Sequence, residues 1–464
     1  MEEQSGRKHF RERMESMVRT IRDEIRTGKL KDGDFLPSEK AYAKAYQLSN
    51  KSVRQGLDIL VSERLVEKIP RVGNKIVRQA AEARTTIKLG YYTSLLEQAA
   101  LDTLIEQFHE RHPDIRVELV PLPSSHTVQA LKPLLRAGDV DLLTISAPGF
   151  ADFVENGEAE ELETLAPEPH VYKFLTKSMS CNGELKAQPF VFSPLILCYN
   201  RVHLRKIDVP EPDSGWSWDD LFEYSSKLNA DNERIGFYFH FPSYNRWPVF
   251  LLQSGMAFHR DEEGRIDLRG DKLQGALRIC QQLIARQNRF PLLLSEHEAD
   301  AEKLFFAGKV SMIMTTYFSL NAYRHQTQVK YDIAPLPYGG DNRTLLLAIG
   351  LAVSSRSERK DSAKLLLDFL MSYRSQLMIR QSTLSIPSLK PAAEWAGVEK
   401  MYRPSRFHLY REIIPTFAVH STLKLSIEEL QLFQREARLY WSGLETEEAL
   451  LERLGTMLSR TGSV

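Results

Sequence analysis

The sequence predicts a two-part chain: a small helix-turn-helix head with a β-wing, then a large two-lobed α/β body. Three observations carry this. Residues 36–77 hold two capped helical stretches and two strand-like stretches in close succession. Beyond residue 86, short β-rich stretches alternate with amphipathic helices, the pattern of a parallel sheet covered by helices. The roughly 380 residues after the head are also too many for one ordinary core, so the body is expected to form two lobes.

The first element is a helix whose apolar stripe is Phe10, Met14, Met17, Val18, Ile21 and Ile25, ending at Gly28 as its C-cap. Ser38 and Ser49 each precede a further helix, where a hydroxyl oxygen accepts from free backbone N–H groups. Between those helices Tyr46, Gln47 and Leu48 leave room only for a tight turn. Val53, Leu57, Leu60 and Val61 fall on one face of the second helix. Its other face carries Asn50, Lys51, Arg54 and Gln55, side chains that reach phosphates and base edges. Strands over 65–69 and 75–77, joined through Pro70, Arg71 and Gly73, complete a winged helix-turn-helix.

In its order of cap, turn, recognition helix and wing, this segment resembles the GntR-type winged-helix regulators over about the first 80 residues. The resemblance implies DNA contact by Arg54, Arg71 and the wing glycine Gly73. It departs at Asn50, where that family usually has an arginine. The candidate DNA-contacting set is Ser38, Ser49, Asn50, Lys51, Ser52, Arg54, Gln55, Arg71, Gly73 and Lys75.

Charge agrees with this division. Residues 1–84 carry 19 Lys and Arg against 13 Asp and Glu, whereas the rest carries 42 against 48. A basic head lowers the cost of approaching a phosphate backbone, and an acidic body has no such pull. The three cysteines, Cys181, Cys198 and Cys280, match no metal spacing and read as reduced thiols, which fits a cytoplasmic location. The start MEEQSGRKHF has no apolar run after its charges, so no secretory leader is expected. No stretch approaches the roughly 20 apolar residues of a membrane span, and no membrane partner is expected.

A polar linker, 79–86, separates the head (1–78) from the body (87–464). The body opens with strands over 87–92, 115–121 and 140–146, and helices over 101–112 and 128–136. Ligands of such sheets sit outside the carboxyl ends of the strands. That places Thr93 and Ser94 at one rim of a site, and Ser146 and Ala147 at another.

Further on, NGELKAQPF forms a turn and strand leading to Cys198-Tyr199-Asn200, and Trp218-Asp219-Asp220 opens a helix. With FLLQSG at 250–255, LFFAGKVSMIM at 304–314, YDIAPLP at 331–337 and IGLAV at 349–353, the body resembles the sugar-binding extracellular solute-binding proteins. The likeness covers 87 to about 397 and lies in the order of several short motifs. It implies a periplasmic-binding-protein-like (type II) fold, two α/β lobes joined by crossing strands with a ligand cleft between them. Sugar recognition needs ring faces to stack on and groups that hydrogen-bond hydroxyls. Phe192, Tyr244, Asn245, Trp247, Tyr317 and Ser385 therefore join Ser94 and Ser146 as ligand candidates, Tyr317 because the family often supplies an aromatic there. The helix-rich region 407–458, with Leu430, Phe433, Ala437 and Leu439 along one segment, is expected to pack on the second lobe.

The function these features imply is a cytoplasmic, dimeric transcription regulator that binds operator DNA and senses a small solute, a sugar or oligosaccharide. No cofactor is implied. Two alternatives stand beside it. Heads of this type also occur on pyridoxal-phosphate enzymes, but that needs a lysine in a Ser/Thr-rich loop; Lys309 in FAGKVSM reads instead as a helix-to-strand turn. A regulator whose body binds a protein partner would lack a ligand-closing cleft.

Overall fold

The computed structural model describes residues 13–461, apart from 23, 26–28, 32, 64, 71, 78–84, 124–126, 231–232, 287–294, 327 and 399–400. Contacts divide the chain into two units, Met1–Thr85 and Thr86–Val464.

In the first unit a helix over 13–22, continued at 24–25, buries Met17, Val18, Ile21 and Ile25. Phe10 and Gly28, expected to begin and end its stripe, lie outside the described residues. Helices Glu39–Tyr46 and Asn50–Ser62 start at Ser38 and Ser49, whose hydroxyls accept from the N–H groups of Ala41 and Ser52. Between them Gln47 adopts φ 52°, and this left-handed residue closes helix Glu39–Tyr46 by donating its N–H to Ala43 O. Val53, Leu57 and Leu60 are fully buried against the first helix and the wing. A Cβ at Gly56 would lie 2.5 Å from Met17 Cε, so glycine is what lets these helices approach. Strands Val66–Ile69 and Gly73–Ile76 pair antiparallel, and Gly73 takes φ 144° at the turn. The unit is a winged helix-turn-helix.

The second unit is built on one sheet. Its strands run in the order Ile115–Pro121, Thr85–Tyr91, Leu142–Ser146, Thr344–Val353, Gln188–Asn200, Val310–Thr316, Ile235–Tyr238. Parallel pairs sit towards either side: Thr85–Tyr91 with Leu142–Ser146, and Val310–Thr316 with Ile235–Tyr238. The two long strands between them run antiparallel, so the sheet is mixed rather than wholly parallel. Gln188–Asn200 is buried along all 13 residues. Its first half pairs with Thr344–Val353 and its second half with Val310–Thr316 and Tyr331–Ala334, so one strand belongs to both lobes. Covering both faces of such a strand explains why its sequence, QPFVFSPLILCYN, is apolar almost throughout instead of alternating.

The penultimate helix Ile427–Trp441 packs on the second lobe, with Phe433 stacked on Trp247 and edge-on to Phe258, and helix Glu447–Thr461 follows it. Leu439 is 49% exposed, contrary to the expected stripe. The buried face is Leu430, Phe433, Ala437, Tyr440 and Trp441, and position 439 falls outside that arc. All three cysteines are free thiols. Among the described residues no helix is long and apolar enough to cross a membrane.

Candidate ligand cavity and DNA-facing surface

Strand ends from both lobes converge on a cavity of about 370 Å³. The first lobe contributes Tyr92, Thr93 and Ser94 after Thr85–Tyr91, Leu122 and Pro123 after Ile115–Pro121, and Ser146 at the end of Leu142–Ser146. The second lobe contributes Thr316 at the end of Val310–Thr316 with Phe318 and Ser319 just beyond it, Tyr244 and Asn245 from a loop, and Glu298 from a helix start. Leu347, Ala348 and Ile349 enter from the crossing strand. The carboxyl ends of the strands thus build the cavity, as the topology requires.

Its polar groups are held in place by backbone bonds. Ser146 Oγ accepts from Gly149 N–H at 3.2 Å, capping helix Ala147–Glu155, while Ser146 N–H donates to the Tyr92 hydroxyl at 3.0 Å. Thr316 Oγ1 accepts from Ser319 N–H at 3.0 Å at the start of the next short helix, and the Ser94 hydroxyl donates to Gln98 Oε1 at 3.3 Å. Burial raises the Tyr92 phenol, and burial with the nearby Glu298 raises that of Tyr244, so both rings stay neutral at physiological pH. Glu298 accepts from the Ser243 hydroxyl and stands 3.0 Å from the guanidinium of Arg246. Arg246 is only 1% exposed; it also donates to Ser319 Oγ at 3.2 Å and lies 3.6 Å from Glu302. Burial raises the Glu302 carboxyl, which Arg246 partly offsets. The result is a cavity with aromatic faces, hydroxyls and one oriented carboxylate.

Of the sequence candidates, Ser94, Ser146, Tyr244 and Asn245 line this cavity together with Thr93. Four others do not. Phe192 is fully buried in a ring cluster with Tyr172, Phe174 and Tyr410. Trp247 lies between Phe433 and Trp441 at 5.4 and 5.8 Å, because the turn 244–247 sends its first two side chains to the cavity and its last two inward. Tyr317 donates its hydroxyl to Phe407 O at 3.0 Å and packs on Phe407, while its neighbour Phe318 lines the cavity. Ser385 is buried and accepts from Asn321 Nδ2 at 2.9 Å. Sequence reasoning missed Glu298, because an acidic residue in a first helical turn reads as a partner for the helix dipole. It also passed over Gln98 and Tyr92. Lys309 is exposed in the turn before Val310–Thr316 and does not line the cavity.

On the head, Asn50, Lys51, Arg54 and Gln55 are all exposed on the recognition helix. Arg54 Nε lies 2.7 Å from Glu39 Oε2 of the preceding helix, which holds the guanidinium at the surface. Ser38 and Ser49 are engaged as caps. Ser52 is a correction: it is buried, its hydroxyl 2.6 Å from that of Ser49, so its side chain serves the turn. Gly73 is exposed at the wing turn and Lys75 is half-buried beside it. Arg71 lies outside the described residues.

Comparison with known families agrees with these two descriptions. The model of the bacterial extracellular solute-binding proteins matches residues 92–377, more than half of the chain. The chain belongs to that family. Ahead of this match, the model of the bacterial regulatory proteins of the gntR family covers residues 14–76, so this solute-binding protein carries a GntR-type winged helix-turn-helix. Both are families of binding proteins rather than enzymes. The sn-glycerol-3-phosphate-binding periplasmic protein UgpB of Shigella flexneri serotype 5b is 22% identical over 414 residues, spanning 80% of this chain and 91% of its own. UgpB of Escherichia coli K12 gives the same figures. Among solved structures, maltose-bound MalE3 of T. maritima superposes with a TM-score of 0.69 at 22% identity, over 81% of this chain and 100% of its own. The Listeria monocytogenes substrate-binding protein Lmo0181, in complex with cycloalternan, also gives 0.69, at 18% identity over 82% and 99%. At such identities the likeness establishes the two-lobed fold and no more.

Proposed function

We propose that this protein is a ligand-responsive transcription regulator of the cytoplasm. Its winged helix binds operator DNA as a dimer, and its solute-binding body takes a sugar or oligosaccharide. The observation that carries this reading is the cavity: ring faces of Tyr92, Tyr244 and Phe318 stand beside Ser94, Asn245, Ser319 and Glu298 at the strand ends of both lobes. Apolar faces interleaved with hydrogen-bonding groups are what a carbohydrate requires. Solved relatives of the same fold are described with maltose and cycloalternan bound, which supports the ligand class. The gntR-type head supports the DNA partner.

The test starts from duplexes that the full chain selects out of a random pool. A carbohydrate panel is then screened for sugars that raise thermal stability and change affinity for the selected duplex. A ligand at a hundred times its dissociation constant adds about 2.7 kcal/mol to stability. A panel in which no sugar alters either property overturns the sensor reading. Arg54→Ala is expected to cost about 1–3 kcal/mol of affinity for the selected duplex if Arg54 contacts a base.

A further inference from the structure

Two curated relatives are named for sn-glycerol 3-phosphate, a phosphate ester, whereas two of the solved neighbours are described with cycloalternan and maltose, which are uncharged sugars. The cavity itself discriminates between these classes. Among the described residues that line it, Glu298 is the one Asp, Glu, Lys, Arg or His side chain. The nearby cation, Arg246, is buried behind the wall and already shared between Glu298 and Glu302. An arriving phosphate would meet a carboxylate before it met a guanidinium, and taking Arg246 from its partners would strand a buried negative charge.

A helix start could still hold an anion through its backbone N–H groups. Helix Ala147–Glu155 begins at this cavity, yet its donors are largely engaged. Ser146 N–H goes to the Tyr92 hydroxyl and Gly149 N–H to Ser146 Oγ, while Pro148 has no N–H to give. Only Ala147 is left of the first four backbone nitrogens. Three more helix starts border the cavity. The one at Tyr317 spans a single turn and its Ser319 N–H goes to Thr316 Oγ1. The one at Leu95 is equally short, and the N–H groups of Leu95, Leu96 and Glu97 go to the carbonyl oxygens of Tyr92, Thr93 and Ser94. The third begins with Glu298 itself, whose carboxylate repels an anion, and the N–H groups of His297 and Asp300 go to Asp300 Oδ2 and His297 O. None of these ends is arranged as a phosphate cradle.

We infer that the cavity selects an uncharged, hydroxyl-bearing ligand and rejects phosphate esters, with Glu298 as the specificity-determining acceptor. This rests on the sensor reading above and narrows its ligand class. The Glu298 carboxylate, oriented by Arg246 and Ser243, accepts from ligand hydroxyl groups and repels a ligand anion. Arg246 and Glu302 lie outside the lining and act only through that orientation.

The test uses matched pairs on the full chain by calorimetry: glucose with glucose 6-phosphate, glycerol with its sn-3-phosphate, trehalose with trehalose 6-phosphate, and each sugar that passes the stability screen with its own phosphate. The uncharged member is expected to bind at least about tenfold tighter than its ester, since leaving a buried charge unpaired costs more than the roughly 1.4 kcal/mol that a tenfold ratio represents. A phosphate ester that equals or exceeds its uncharged partner overturns the inference while leaving the sensor reading intact. Absence of any binding sugar overturns the sensor reading first. Glu298→Gln keeps an acceptor oxygen but removes the charge, so it is expected to narrow the sugar-to-ester ratio; an unchanged ratio removes Glu298 as the determinant. Should Glu298→Gln unfold, Glu298→Asp keeps the charge and must keep the preference for the uncharged member, and its loss counts against the inference.

Discussion

At the scale of single residues, position within one turn separates ligand contact from core. Tyr244 and Asn245 face the cavity, while Trp247 is buried against Phe433 and Trp441. Trp247→Ala is therefore expected to cost about 3–5 kcal/mol of stability by cavity formation, read from the urea midpoint of unfolding. Trp247→Phe is expected to cost far less, because the indole N–H finds no hydrogen-bond partner among the described residues. Equal losses for both variants would show that the indole edge, not ring packing, matters. His420 behaves differently. It is buried with Nε2 donating to Tyr244 O at 2.9 Å, and burial holds its pKa down at about 4. Unfolded histidine titrates near 6.5, so the unfolded chain binds the proton that the native state refuses. The stability from a neutral His420 is complete above pH ~6.5 and is lost as pH falls towards 4, by up to about 1.4 kcal/mol per unit. His203, also held at about 4 by burial, adds to the same slope. Replacing His420 with Gln is expected to flatten the fall in urea midpoint between pH 7 and 5; an unchanged slope would contradict this account. The sequence shows that 244–247 is rich in recognition chemistry, but its inward side chains meet distant partners: Trp247 stacks on Phe433, nearly 190 residues away, and Arg246 is held by Glu298 and Glu302.

At the scale of elements, periodicity and caps were legible where local chemistry decides them. The strand Ile115–Pro121 and helix Val128–Arg136 agree with their expected bounds, because each is bracketed by turn residues and carries a clean apolar period. Crossing strands were less legible. Nothing local in Thr344–Val353 says that it inserts antiparallel between Leu142–Ser146 and Gln188–Asn200, since a strand buried on both faces carries no alternation to fix register or direction. Close approach is equally invisible. Gly236, in strand Ile235–Tyr238, meets the helix Trp218–Leu228 so tightly that a Cβ would sit 1.9 Å from the Ser225 carbonyl oxygen. Backbone cannot yield as a side-chain tip does, so Gly236→Ala is expected to destabilise the second lobe by several kcal/mol, on the order of a severe overpacking substitution. A melting temperature within a degree or two of the parent would refute that contact. Gly56→Ala provides the contrast, since its first obstacle is the movable Met17 methyl.

At the scale of the whole molecule, function requires that ligand binding in the body and DNA binding by the head be linked in free energy. The polar segment 79–84 is followed directly by strand Thr85–Tyr91, whose end supplies Tyr92, Thr93 and Ser94 to the cavity. That chain order gives ligand a covalent route to bias the head. A single winged helix reads a short site, so two chains on a pseudo-palindromic duplex are expected, as sedimentation of the complex would reveal. Ligand can shift DNA binding only by its differential affinity for the states that bind DNA well and poorly, typically about 1–3 kcal/mol. Reciprocity then fixes a number that no choice of mechanism can alter. Whatever factor a sugar applies to duplex affinity, the duplex must apply to sugar affinity. Titrating the sugar with and without saturating duplex, at constant salt because phosphate contacts are salt-dependent, measures that factor from the other side. Agreement within error is expected. Equal sugar affinity in both titrations, from a protein whose duplex affinity had changed with sugar, would mean that sugar acts on aggregation or on the DNA and not through the fold. Glu298→Gln, which alters the cavity and leaves the head untouched, is expected to weaken sugar binding while ligand-free duplex affinity stays at the parent value.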